Sequence, residues 1–309
     1  MNDFRTDLAS RQGSVGTEGA PSLDADGKKE ATVGVEDFYV RFWGVRGSIA
    51  VGSPEVMRYG GNTSVIEVRC GSHLLIFDTG TGVRALGIAL SDAKEPVDAD
   101  VFFTHTHYDH VCGLPHFCPA FDPRNTFRIH AGHVTDNGGI KGVLKQMMCS
   151  PLFPVPLEIF QANLSFHDFE QGAVLEPHPG VKVRTGPLSH PDLATGYRIE
   201  FQGKSICYLT DTEHPAEGHD ENILKLIKGA DIVIYDSMYT EEEYACRKGW
   251  GHSTWQAGAK LCDAAGVKTF VVFHHDPEHD DAFMDKVAAE VEKARPGSIV
   301  AREGLVLRP

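Results

Sequence analysis

Apolar residues in this chain come in short runs that stop at polar, chemistry-bearing side chains. Val101-Phe102-Phe103 gives way to Thr104-His105-Thr106-His107-Tyr108-Asp109-His110. The alternating Val181-Lys182-Val183-Arg184 leads through Thr185-Gly186-Pro187-Leu188-Ser189 to His190. Ser205 to Thr210 ends at Asp211, Asp231 to Tyr235 at Asp236, and Phe270 to Phe273 at His274. Runs this short, rich in Val, Ile and Phe, read as strands. Further strands are predicted at Tyr39 to Trp43, Ser64 to Arg69 and Leu74 to Phe77. Helical patterns lie near Gly139 to Met148, whose Met147-Met148 should pack in a core, and from Gln256 to Ala265, where Ser253 or Thr254 can cap the start. Strand and helix alternate without a linker-like break, so residues 38–309 read as one α/β domain.

Candidate ligands sit where the runs stop. The H-x-H-x-D-H run concentrates four of them after a strand. In an extended segment the side chains at i and i+2 share a face, so His105 and His107 can converge on one ion. Asp109 and His110, where the chain turns away, can face a second. A lone histidine is more often a surface or core-edge residue than a ligand, but this spacing with strand-end partners at His190, Asp211 and His274 is hard to reach by chance. Ligands at several strand ends gather along one sheet edge, where layered α/β folds place their sites.

On these residues the chain, from about Tyr39 to Pro309, resembles metallo-β-lactamase-fold hydrolases. It is closer to the branch of ribonuclease Z and the phosphonate-pathway cyclic phosphodiesterase than to the β-lactamases themselves. The resemblance implies an αββα sandwich with a dinuclear metal site at one edge. It implies His105, His107 and His190 on one ion, Asp109, His110 and His274 on the other, and Asp211 bridging. His274 directly follows a strand and is preferred over His275, which would then line the mouth or support a ligand from behind. Asp78, opening Asp78-Thr79-Gly80-Thr81-Gly82, is expected to brace the metal-binding loop. The ligands are mostly imidazole with carboxylate, so zinc is the default, and manganese or iron suits the same set.

The same resemblance assigns an acid-histidine pair to Asp236 and His252, the latter within Trp250-Gly251-His252-Ser253-Thr254. A phosphodiester that expels an alkoxide needs a proton donor, and a carboxylate behind an imidazole fixes its tautomer and raises its pKa. A lactone or thioester needs that pair less. The expected chemistry is therefore metal-assisted hydrolysis of a small phosphodiester, such as a cyclic nucleotide, with Asp211, His252 and Asp236 as the catalytic residues. A lactonase or thioesterase, a ribonuclease Z-like nuclease and a non-catalytic regulatory protein remain the alternatives. Arg46, Arg58 and Tyr59 lie in loops expected to face the cleft, where they could hold a phosphate. Part of the proline-rich stretch from Pro115 to Glu170 is expected to cover the site.

Composition narrows the partners. Residues 1–37 are rich in Gly, Ser, Asp and Glu with isolated apolar residues, so they read as a disordered tail dispensable for catalysis. The formal charge is −14, and the tail carries eight acidic against four basic residues, leaving the rest near −10. An acidic surface is a poor track for a polynucleotide backbone, which disfavours long nucleic acid and favours a small substrate. No apolar run suits a membrane span and no targeting segment is evident, so a soluble, cytoplasmic protein is expected. The seven cysteines include no C-x-x-C and read as reduced thiols. A homodimer that shapes the pocket stays open.

Overall fold

The computed structural model describes residues 37–134 and 138–309. The expectation for the tail thus falls, apart from Asp37, outside the described residues. In the first sheet β1 (Phe38–Gly44), β2 (Val65–Cys70), β3 (His73–Phe77), β4 (Asp98–Phe103), β5 (Thr126–Ala131) and β6 (Asn163–Asp168) lie side by side in chain order. In the second, β7 (Val174–His178), β8 (Val181–Leu188), β9 (Ala194–Phe201), β10 (Lys204–Leu209), β11 (Ile232–Asp236), β12 (Thr269–Phe273) and β13 (Ile299–Val300) do the same. The last strand, β14 (Val306–Leu307), returns to the first sheet beside β1.

Four layers follow from three separate cores. Between the sheets, Phe42, Leu75, Phe77 and Phe102 meet Tyr197, Ile206, Tyr208 and Phe273. Phe77 packs edge-on against Tyr208 with ring centroids 5.9 Å apart. Truncating a ring of this kind to Ala typically costs about 3–5 kcal/mol. Helix α1 (Val83–Asp92), the single turn α2 (Tyr108–Val111) and α3 (Gly139–Met147) line the outer face of the first sheet. There Met148 is buried and Met147 half-buried against the core, as their pattern predicts. Helix α4 (Glu221–Ile227), the turn α5 (Glu241–Tyr244), α6 (Trp255–Ala265) and α7 (Asp281–Ala294) complete the helices, with α4, α6 and α7 packed on the second sheet. The architecture is the αββα sandwich.

Strand direction positions the site. β10, β11 and β12 pair in parallel and are buried along nearly their whole length, as strands covered on both faces must be. β3, β4 and β5 are likewise parallel in the first sheet. Carboxyl ends of parallel strands emerge together, so whatever follows them is gathered at one edge. Helix α6 starts there: the Thr254 side chain accepts the Ala257 N–H, a cap of the predicted kind worth about 1 kcal/mol.

Candidate metal centre

All of the predicted ligands meet at this edge. Asp211 lies at its middle, and its two carboxylate oxygens face two groups. Oδ1 is 3.7 Å from His105 Nε2 and 3.8 Å from His190 Nε2. Oδ2 is 3.1 Å from His110 Nε2 and 3.2 Å from His274 Nε2. His107 Nδ1 sits 3.0 Å from His190 Nε2, completing the first group, and Asp109 Oδ2 sits 3.2 Å from His110 Nε2, completing the second. His105, His107 and His190 therefore form one donor set and Asp109, His110, Asp211 and His274 the other. The strand ends are bent to achieve this: Asp78, Asp211 and His274 all have φ of 60–65°, a left-handed conformation costly for residues with a Cβ. Gly47 lets the chain pass over His274, since a Cβ there would come within 2.6 Å of the imidazole.

The donor atoms fit divalent ions. Nε2 of His105, His110 and His274 are buried and make no hydrogen bond, a costly state for polar atoms with nothing to bind. Asp78, Asp109, Asp211 and Asp236 are buried as well, and buried carboxylates in such number call for cations. Burial, reinforced by His110, holds the His105 imidazole well below its usual pKa, in the neutral form a metal takes. Burial opposes charge on His110 too, but Asp109, Asp211 and Asp78 around it outweigh that and hold it well above the usual value. For Asp211, burial works toward the neutral acid, yet His274, His110 and His105 keep it well below the usual carboxylate range. Behind the ligands, Asp78 Oδ2 takes His110 Nδ1 at 2.9 Å and the Tyr208 hydroxyl at 3.0 Å, while Oδ1 takes the Thr104 N–H at 2.8 Å. These bonds tie Asp78 to the loop and hold His110 with Nε2 facing Asp211.

Asp236 and His252 are paired beside this centre. His252 Nδ1 is 2.9 Å from Asp236 Oδ2 and 3.8 Å from Asp211 Oδ1. Asp236 also accepts N–H groups of Asp211, Met238 and Ser253, which pins the carboxylate between two strand ends and the start of α6. Burial lowers the His252 pKa, but the Asp236 charge and hydrogen bond outweigh it, and the pKa is pushed up to about 9.

Other expectations are corrected. Arg46 does not face the cleft: it is fully buried, and its guanidinium donates to the Gly60, Asp276 and His279 carbonyls at 2.8, 2.9 and 2.6 Å. Loop carbonyls without strand partners need a donor, and a five-donor fork ties three of them at once. Arg58 and Tyr59 point instead to α7, where both bond Asp285. His275 does not line the mouth. It is buried and its Nε2 meets the Ala301 carbonyl at 2.8 Å. Sequence reasoning also missed two supports. Glu213, two residues past Asp211, accepts the Gly249 N–H at 2.9 Å, the Gly251 N–H at 3.2 Å and the Tyr244 hydroxyl at 2.7 Å. Gly251 in turn offers its carbonyl to His190 Nδ1 at 2.8 Å. A Cβ on Gly251 would fall 2.3 Å from that nitrogen. Nothing in the one-dimensional pattern marks a carboxylate that serves backbone amides so far along the chain.

Two sheets between helices, with a His/Asp centre at their strand ends, define a metal-dependent hydrolase of the metallo-β-lactamase fold in the ribonuclease Z-like branch. The chain belongs to the beta-lactamase superfamily domain family, whose family model matches residues 73–275. It is 24 % identical over 315 residues to a ribonuclease Z of Haloarcula marismortui, covering 85 % of this chain and 94 % of that protein. Among solved structures it is similar to a diphosphatase from the PhnP family, with a TM-score of 0.64 and 19 % identity over 88 % of this chain and 98 % of that one. It is also similar to Zn(2+)-bound PqqB from Methylobacterium extorquens, with a TM-score of 0.62 and 18 % identity over 88 % of this chain and all of that one. Among the described residues no helix is long and apolar enough to cross a membrane.

Proposed function

We propose that the chain is a phosphodiesterase acting on small phosphodiesters at a centre of two divalent ions. His105, His107 and His190 would hold one ion, Asp109, His110 and His274 the other, and Asp211 both. When bound, such ions, zinc first and manganese or iron as alternatives, supply Lewis acidity to phosphoryl oxygens and acidify water. The observation that carries the reading is the Asp236–His252 pair at 2.9 Å. With Nδ1 engaged by Asp236, the nitrogen that can release a proton is Nε2, and the departing alkoxide oxygen is the group that needs one. Asp236 keeps the ring oriented and favours its charged form before transfer. The diphosphatase likeness supports phosphorus chemistry in preference to carbonyl chemistry.

The test is turnover of the zinc-loaded protein on a panel of small phosphodiesters, lactones and thioesters. Phosphodiesters are expected to be the best substrates, and faster lactone or thioester hydrolysis overturns the reading. The names of the curated relatives favour a second reading, an RNA nuclease. Against it stands the charge of −14, which repels a polyanion increasingly as salt is lowered. Cleavage of a structured RNA faster than of any small diester at physiological salt would establish the second reading.

A further inference from the structure

His190 stands in the loop between β8 and β9, where Asp192 and Leu193 both take left-handed φ, 60° and 69°. The ladder between the two strands stops at Leu188 and Ala194, so strand pairing does not orient the imidazole. Glu213 does so from two sides. Its backbone N–H donates to the carbonyl of Ser189, the residue before the ligand, at 2.7 Å. Its carboxylate accepts the Gly251 N–H at 3.2 Å, and the Gly251 carbonyl accepts from His190 Nδ1 at 2.8 Å. A ring nitrogen that faces a carbonyl must carry the proton, which leaves the Nε2 lone pair for an ion. Nε2 is the atom turned toward His107 and Asp211.

Gly251 needs an external hold to serve in this way. It lies in Gly249-Trp250-Gly251, where both glycines have φ of 85°, and glycine has the most conformational freedom to lose. Trp250 between them is 62 % exposed, so burial of the indole does not fix the segment. Glu213 supplies the hold. Oε1 accepts the Tyr244 hydroxyl at 2.7 Å and the Gly249 N–H at 2.9 Å, while Oε2 accepts the Gly249 and Gly251 amides at 2.9 and 3.2 Å. Every partner is a donor, so both oxygens must accept. A glutamine here would set its own NH₂ against a donor at one end. The second donor set is held from elsewhere: His110 by Asp78 at 2.9 Å and Asp109 by the Ser48 N–H at 2.8 Å.

We propose that Glu213 is a positioning residue for one ion of the pair. By fixing Gly251 it sets the affinity of the His105, His107 and His190 set and leaves that of the Asp109, His110 and His274 set unchanged. This inference rests on the two-ion centre of the preceding reading.

The test is metal retention by the full chain, loaded with zinc, dialysed against graded concentrations of a chelator and read by elemental analysis. The natural chain should hold about two equivalents, and Glu213→Gln should release one of them at about 10- to 100-fold lower chelator concentration, with the other released as before. Glu213→Asp keeps the charge but loses the reach and should show the same selective loss. Natural retention in that variant would mean that charge alone acts, which overturns positioning. Gly251→Ala approaches the ligand from the opposite end, since its Cβ would fall 2.3 Å from His190 Nδ1, and should weaken the same ion. To identify that ion, Glu213→Gln is repeated in His190→Ala, where it should add nothing because the support has lost the ligand it acts through. A further loss there, equal weakening of both ions, or unchanged retention in both Glu213→Gln and Gly251→Ala overturns the proposal and leaves the two-ion reading standing. If urea unfolding shows that Glu213→Gln does not fold, Glu213→Asp and Gly251→Ala decide by the same criteria. A natural chain that retains no metal overturns the two-ion reading and this inference with it.

Discussion

The described chain contains two dense histidine clusters, and they differ in what their nitrogens have left to do. At the strand-end edge, Nε2 of His105, His110 and His274 are buried and unbonded around Asp211. Between the sheets on the flank, His130 and His178 each place Nε2 on Asp100, at 2.8 and 2.7 Å, and Arg128 grips the same carboxylate twice at 3.0 Å. His73 stacks on His178 at 4.0 Å and His167 on His130 at 5.1 Å. No nitrogen of these four histidines is among the buried atoms left without a partner. Asp100 lies five positions before His105, roughly 15 Å along an extended chain. The same residue types, so close together, thus form a set of converging donors in one place and a satisfied strut between β4 and β7 in the other. Histidine density alone does not mark chemistry; several buried, unbonded ring nitrogens converging with carboxylates do.

Asp211→Ala should abolish measurable turnover and lower bound metal, by elemental analysis, from about two equivalents to about one or fewer, because both sets lose a shared ligand. Full metal content in a folded variant would place the centre elsewhere. Next in size, His252→Ala should slow substrates with alkyl leaving groups by about 10²- to 10⁴-fold. Esters that release p-nitrophenolate, which needs little protonation, should lose far less. Asp236→Asn should follow the same order more weakly. Equal losses on both substrate types, with metal retained, would give His252 a binding or structural role.

Asp78→Asn sharpens the contrast between support and ligand. It should reduce metal affinity about 10- to 100-fold in competition with a chelator, since it loosens His110 without removing it. Unchanged affinity would mean that Thr104 and Tyr208 position the loop unaided. The smallest effects belong to the strut. His178→Ala should leave turnover and metal content intact while lowering stability by about 1–3 kcal/mol in urea unfolding, the range for losing a hydrogen bond to a buried charge. For Asp100, burial works toward the neutral acid, yet His130 and Arg128 bring its pKa down to about 2 from the ordinary 3.8. A carboxylate depressed on folding adds stability above its unfolded pKa and loses it as pH falls through the folded one. Between about pH 4 and 2, Asp100→Asn should therefore flatten the acid-unfolding curve. A curve as steep as that of the natural chain would show that the strut does not titrate there.

Much was legible in one dimension. Apolar runs interrupted by His and Asp located β4, β8, β10, β11 and β12 and the residue at which each meets the site. This works because a strand buried on both faces must be continuously apolar, while a strand end leaves the core and is free to carry chemistry. The H-x-H-x-D-H spacing likewise encodes its own convergence, since side chains two apart in extended backbone share a face. Tertiary structure alone decided the rest. His274, already preferred over His275 by its place directly after a strand, reaches the centre through a left-handed turn at φ 65° that the pattern does not show. Arg46, Arg58 and Tyr59 had the right chemistry for a phosphate, but long flexible side chains go wherever the assembled fold leaves an unsatisfied carbonyl or carboxylate, and each of the three has at least one partner more than two hundred residues away. The Glu213 clamp and the Asp100 strut are invisible for the same reason. Local pattern records what each segment must bury, whereas the pairing of polar groups is settled only when distant segments are packed together.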